Sequence, residues 1–386
     1  MAITCYIIRN LFVLNIIIVP LSAFPIRFPF PFQPFDGIEE SFSQSPPPPP
    51  QVSYGNEEQP FIQPPPPPPS QVDPPKDRLK LQEGFHSRSC PNAEQIVANQ
   101  VALIVKTNPG AIAAFIRLQF HDCFVGGCDA SILLDQVPTG DNVEKSSRSN
   151  GELLKGADLI DDIKEKLEQE CPGIVSCADT LAFAAAESMV LGGLPRQPKL
   201  GGRRDGLVSL ASNAEHYLPS PAWSMDRMLR LFKTKRFNEE DLVVLLGAHS
   251  VGSAHCAFFS NRLYNYYKSG KPDPTLTQDV IDELRQKCKA PGTQEVRENP
   301  PVNFDETPTI LDNLFFKNLV ERKKALLASD QLLIVDNRTS PIVEKMAKDP
   351  NLFSSKFAQA MTRLASLGVL TGNEGEIRTT CRSTNQ

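Results

Sequence analysis

From residue 77 onward, apolar residues recur three and four positions apart between polar ones, the spacing of one face of a helix. In residues 92 to 106, Ala93, Val97, Val101, Ile104 and Val105 fall on one stripe behind the start signals Pro91 and Asn92. The same periodicity, with caps, predicts helices over about 111 to 124, 156 to 170, 177 to 190, 224 to 233, 238 to 247, 276 to 288, 309 to 323, 340 to 347 and 353 to 367. No series of alternating segments at regular spacing predicts a sheet, so the expected fold class is all-α.

Before residue 77 the pattern changes. Leu11 to Val19 is an apolar stretch preceded by Arg9 and followed by the small-residue ending Leu21-Ser22-Ala23, which reads as a secretory signal peptide over residues 1 to 23. The run is too short and too interrupted, by Asn10 and Asn15, for a membrane span of about 18 or more apolar residues. About half of the 35 prolines fall between residues 24 and 76, with uninterrupted runs at 46 to 50 and 64 to 69. Fixed φ and missing N–H donors exclude helix and sheet there and leave a polyproline II spacer. The domain boundaries expected are therefore 1–23, 24–76 and 77–386.

Composition narrows the class. The 386 residues are 40% hydrophobic and 22% charged, which excludes wholesale disorder and a polytopic membrane protein. A formal net charge of -5 lacks the basic excess that nucleic acid demands. Of 9 cysteines, Cys5 leaves with the signal peptide. An even set remains in a secreted chain, which predicts disulfides without choosing among their pairings. Asn337-Arg338-Thr339 is a glycan acceptor.

The segment richest in chemistry is Ala114 to Leu134. On a helix, Arg117, Phe120 and His121 stand at i, i+3 and i+4 and share a face, so a cation, an aromatic ring and a base point the same way. Asp122, Asp129 and Ser131, with carbonyls from Val125 and Gly127, then place hard oxygen donors in a glycine-containing loop, which suits Ca²⁺. A zinc reading would use His121, Cys123 and Cys128. It lacks a clear fourth ligand, and an oxidising compartment favours a disulfide.

The run RLQFHDCFVGGCDASILL resembles the distal-site signature of the class III plant secretory haem peroxidases. The likeness continues through CPGIVSCADTLAFAA, LGGRRDG, DLVVLLGAHSVGSAHC, TPTILDNLFFKNL and SDQLL, spanning residues 79 to 381. It implies one haem b held between distal and proximal helical domains, in an enzyme that reduces H₂O₂ to water and oxidises small phenolic donors by one-electron steps. His249 matches the iron ligand, and Asp330 the carboxylate that accepts the ring's other N–H. His121 matches the general base, Asn150 the asparagine that holds it, and Arg117 the cation that stabilises developing negative charge. Phe120 walls the haem, and Pro219 matches the residue whose carbonyl lies at the donor site.

The resemblance also implies two calcium ions. The distal one takes the loop named above with Glu144 through water, and the proximal one takes Ser250, Asp305, Thr307, the Ile310 carbonyl and Asp312. The implied disulfides are Cys90–Cys171, Cys123–Cys128, Cys177–Cys381 and Cys256–Cys288. Departures from the family pattern are His86 for tyrosine, Ser149 for proline, Leu194 within Gly-Gly-Pro, Ser250 for threonine, and one residue fewer between Asp305 and Thr307. The expected product is a secreted monomer of the cell wall, with its proline tract available to wall polymers. A rival reading makes the tract a wall anchor for an inert helical domain.

Overall fold

A computed structural model describes residues 80–385 apart from 152–153 and 291–298. The expected signal peptide and proline-rich segment lie outside the described residues. Helices α1 (Ala93–Thr107), α2 (Ala111–Val125), α3 (Ala157–Glu170) and α4 (Cys177–Leu191) pack around one core that includes Val97, Phe115, Ile160 and Leu181. α4 is apolar almost all round because it is buried almost all round. Its start is capped by the Ser176 hydroxyl, which accepts from the Asp179 N–H.

The second core is built by α5 (Ala211–Tyr217), α6 (Met225–Thr234), α7 (Glu239–Leu246), α10 (Leu314–Lys317), α11 (Ala328–Val335), α12 (Ser340–Lys348) and α13 (Pro350–Leu364). A capping box between Asn238 and Asp241 starts α7, with Glu239 and Glu240 also favourable at its positive end. A third, smaller cluster joins α8 (Ser260–Tyr264) to α9 (Gln278–Lys287). Strands are short: β1 (Gln82–Glu83) pairs antiparallel with β2 (Leu200–Gly201), and β3 (Ser253–His255) with β4 (Pro301–Asn303). The all-α expectation holds.

Most helices start and stop within two residues of the positions expected from periodicity. The helix expected over 309 to 323 does not form as such. Its first five residues are a loop, followed by α10 and a single π-helical turn, Asn318–Arg322. Asp312 accepts from the Leu314 N–H at 2.8 Å, so a short acidic side chain takes an amide that the expected helix would use. The helix expected from 353 begins at Pro350, because Asp349 caps it by accepting from the Asn351 and Leu352 amides. Three short helices, α5, α8 and α11, are not among those expected; each is eight residues or fewer and has no side-chain cap to mark its start.

The four disulfides are Cys90–Cys171, Cys123–Cys128, Cys177–Cys381 and Cys256–Cys288. Cys177–Cys381 spans 204 positions and fastens the tail to the start of α4. Fully buried Arg378 reinforces that fastening, donating to the carbonyls of Cys381 and Ala130 at 2.8 Å beside the Asp205 carboxylate. Removing either partner of such a buried pair costs about 3 to 5 kcal/mol, because it strands the other charge. Among the described residues no helix is long and apolar enough to cross a membrane.

Candidate active site

α2 is buried on two sides. Ala111, Phe115 and Leu118 enter the first core, whereas Ile112, Ile116, Phe124 and Val125 enter the second. Between these flanks runs a stripe, Ala113, Arg117, Phe120 and His121, that protein only half covers. Phe120 stacks on Phe124 with ring centres 4.6 Å apart, which fixes the stripe's aromatic member.

The His121 ring is oriented by a chain of hydrogen bonds. Buried Asn150 donates through Nδ2 to the Glu144 carbonyl at 2.8 Å, which turns its Oδ1 towards His121 Nδ1 at 2.6 Å. An amide oxygen can only accept, so Nδ1 carries the proton and Nε2 keeps its lone pair. Arg117 Nε lies 3.4 Å from that Nε2, and its Nη2 donates to the Ser149 carbonyl. Desolvation, then the Arg117 charge, lowers the His121 pKa to about 3, against a smaller raising effect of Asn150. The ring is therefore neutral at neutral pH and able to take a proton.

His249 lies in a tight turn, Gly247–Ser250, directly after α7. Gly247 is required there, since a Cβ would come within 2.6 Å of Phe353 and 2.8 Å of Phe316. His249 Nδ1 meets both oxygens of Asp330 on α11 at 3.0 Å, and Asp330 has no exposed surface. The ring stacks on Phe304, centres 4.3 Å apart, and stays part-exposed. With Nδ1 committed, Nε2 is the nitrogen left to bind a metal. Gly252, at φ +82°, then brings the chain against α2, where a Cβ would lie 2.9 Å from that of Ala113. Thus the turn after His249 abuts the half-covered stripe of α2.

Two oxygen-rich clusters flank the histidines. On the His121 side, Asp122 accepts from the Ala130 amide at 3.1 Å, Asp129 from the Ser131 amide at 3.0 Å, and Glu144 from the Ser131 hydroxyl at 3.1 Å. Burial, then the Asp129 charge, pushes Asp122 well above its ordinary range; burial, then Asp122 and Asp129, does the same to Glu144; and burial raises Asp129. Glu144 Oε2 is buried with no hydrogen-bond partner. The Gly127 carbonyl accepts from Asp129 N–H and the Val125 carbonyl from Lys235 Nζ at 2.8 Å. On the His249 side, the Thr307 hydroxyl bridges Asp305 at 3.2 Å and Asp312 at 3.0 Å. Ser250 Oγ and Asp305 Oδ2 are buried and unpartnered, and burial lifts Asp305 to about 6. The Ile310 carbonyl accepts from the Asp312 N–H.

These observations test which groups fit. Neither cluster is a cage of three or more His, Cys, Asp or Glu side chains, and none exists among the described residues. Each instead mixes carboxylate, hydroxyl and carbonyl oxygens with orphaned buried atoms, the donor set of a hard divalent cation. The zinc reading fails because Cys123 and Cys128 are bonded to each other. A metal-centred ligand would find an imidazole nitrogen free for its metal on His249, and on the half-covered stripe a cation, an aromatic ring and a base in Arg117, Phe120 and His121. Pro219 follows α5, half-buried, and Asn337 is exposed in the turn before α12.

Some contributors could not be read from the chain. Lys235 on the Val125 carbonyl, Phe304 under His249, and Ser209, whose hydroxyl accepts from the Glu144 amide at 3.0 Å, all come from distant segments. Only the glycine at 252 offered a local signal, a small residue just beyond a candidate ligand.

A family model described as Peroxidase matches residues 97–349. The chain is 43% identical over 307 residues to Peroxidase 28 of Arabidopsis thaliana, covering 79% of this chain and 94% of that one. It is 41% identical over 312 residues to Peroxidase N of Armoracia rusticana, covering 80% and 92%, and 40% identical over 306 residues to Peroxidase 5 of Vitis vinifera, covering 79% and 92%. Two histidines held by different partners, together with these matches, establish that the chain belongs to the peroxidase family.

Proposed function

We propose that this peroxidase is a secreted haem b enzyme that reduces H₂O₂ and oxidises small phenols in the plant cell wall, with two structural calcium ions. The family brings haem as cofactor. His249 Nε2 would ligate its iron, and when bound the haem supplies the redox centre that passes electrons from donor to peroxide. Asp330 accepts the Nδ1 proton of His249, keeping that ring electron-rich and correctly turned. Neutral His121 takes the proton from peroxide at Nε2 and returns it to the departing oxygen. Arg117, which stays charged, faces the negative charge that develops there. Phe120 limits access by bulky molecules, and Pro219 would accept a donor hydroxyl through its carbonyl.

The calcium reading is supported by the orphaned oxygens of Glu144, Ser250 and Asp305. Ligands would be Asp122, Val125, Gly127, Asp129 and Ser131, with Glu144 through water, on one side, and Ser250, Asp305, Thr307, Ile310 and Asp312 on the other. Secretion is supported by four disulfides, which persist in oxidising compartments; a glycan at exposed Asn337 accords with it. The observation that carries the catalytic reading is the pair of imidazoles with unlike partners. The test is H₂O₂-dependent phenol oxidation by the purified haem-loaded protein and its His121→Ala variant. A Soret band in both, with turnover lost in the variant, is expected. Full turnover by the variant overturns the acid–base assignment.

A further inference from the structure

We infer that Tyr267 is a site of covalent self-modification, at which the enzyme is coupled to the phenols it oxidises. This rests on the phenol-oxidising reading above. Tyr267 is 83% exposed, the most exposed of the large apolar and aromatic side chains at the described surface. Its backbone holds it there: φ 47° and ψ 37° lie in the left-handed region, where an aromatic residue is an outlier, and Lys268 follows at φ 62°. The turn is built rather than loose. Tyr266 N–H donates to the Lys271 carbonyl at 2.9 Å, and Gly270 N–H donates to Asn265 Oδ1 at 2.8 Å.

The other described tyrosines are protected. The Tyr264 hydroxyl donates to the Cys288 carbonyl at 2.8 Å, and Arg285 lies over its ring. Lys235 sits over half-buried Tyr217. Tyr266 packs against Tyr267 with ring centres 4.4 Å apart, and burial, then Asp273, raises its phenol pKa. Phenols oxidise more readily as phenolate, so that shift turns oxidation away from Tyr266. Tyr267, by contrast, is largely exposed, and among the described residues its hydroxyl pairs only with that neighbouring phenol.

The reaction balances. H₂O₂ takes one electron and one proton from each of two phenols, giving two phenoxyl radicals and two waters. A radical on Tyr267, formed directly or by hydrogen exchange with a donor radical, couples with a second radical through a new ring carbon–carbon bond. Each ring then loses the C–H proton at that carbon and regains its O–H. The protein gains the mass of the donor less two hydrogens, and where that donor is a phenol fixed on a polymer the enzyme becomes tethered to it.

The test incubates the haem-loaded full chain and its Tyr267→Phe variant with tyramine and H₂O₂, then maps adducts by peptide mass spectrometry. Expected are tyramine-less-two-hydrogens on the peptide carrying Tyr267 in the wild type, at least fivefold less total labelling in the variant, and equal tyramine turnover by both. A second arm replaces H₂O₂ with a laccase and O₂, which supply the same radicals independently. Labelling of Tyr267 in that arm with no turnover in the first would refute the phenol-oxidising reading while keeping the acceptor site. Turnover without adducts, adducts at Tyr54 or another tyrosine instead, or equal labelling of the variant overturns the inference.

Discussion

His121 and His249 are one kind of side chain in two surroundings. His121 Nδ1 faces an amide oxygen of Asn150 at 2.6 Å, and His249 Nδ1 faces both carboxylate oxygens of Asp330 at 3.0 Å. A neutral acceptor fixes the tautomer without adding charge, so burial and Arg117 depress the first ring's proton affinity. A carboxylate adds charge and feeds electron density to the far nitrogen. On the proposed reading, the partner on one nitrogen decides whether the other moves protons or holds metal.

The hardest way to break this contrast is His121→Leu, which should lower the rate constant for peroxide about 10²- to 10⁴-fold while the Soret band persists. An unchanged rate in stopped-flow would remove His121 from proton transfer. Next, Asp330→Asn should weaken haem retention about 10- to 100-fold in a hemin titration, whereas Asn150→Asp should leave it near wild type. Equal effects of the two would erase the distinction.

The pH profile sharpens it further. Protonation removes the base, and His121 is depressed to about 3, so the acid limb of the peroxide reaction should lie well below 6.5, the ordinary histidine value. Asn150→Asp sets a negative charge beside the ring, raises its pKa and should move that limb upward. A wild-type limb centred near 6.5 contradicts the desolvation argument.

The smallest expected effect concerns the flanking oxygen clusters. With no cation beside them, Asp122, Asp129, Glu144 and Asp305 titrate above their ordinary values. The folded chain then holds more protons than the unfolded one from the ordinary carboxylate range upward, through about 6 for Asp305. Stability is present at low pH and lost as pH rises through those raised values. Chelation should therefore lower Tm by a few degrees more at pH 8 than at pH 5, with about 1 kcal/mol corresponding to roughly 2 to 4 °C in a domain of this size. A calorimetric scan showing the reverse order would count against these carboxylates as a cation site.

Much of this was legible in the chain. Long helices with a sustained apolar stripe, such as α1 and α3, follow from spacing alone. Residues i, i+3 and i+4 on α2 had to share a face, so Arg117, Phe120 and His121 were bound to converge wherever the helix lay. Short α11 was not legible, although it carries Asp330: it is no shorter than α7, but it lacks the side-chain cap that marks where α7 starts. The loop at 309 to 313 misled for another reason: its apolar spacing suits a helix, but the Asp312 carboxylate competes for the Leu314 amide with a side-chain hydrogen bond.

The sequence by itself determined what is local: which faces are apolar, where caps start helices, and which oxygens crowd one glycine loop. Only the tertiary structure decided that Asn150 turns His121, that Asp330 meets His249 across 81 positions, and that Gly252 brings the two halves of the site together. Helical periodicity is a property of neighbours a few residues apart, whereas a hydrogen bond between distant segments exists only once two cores have packed and brought both ends to the same place.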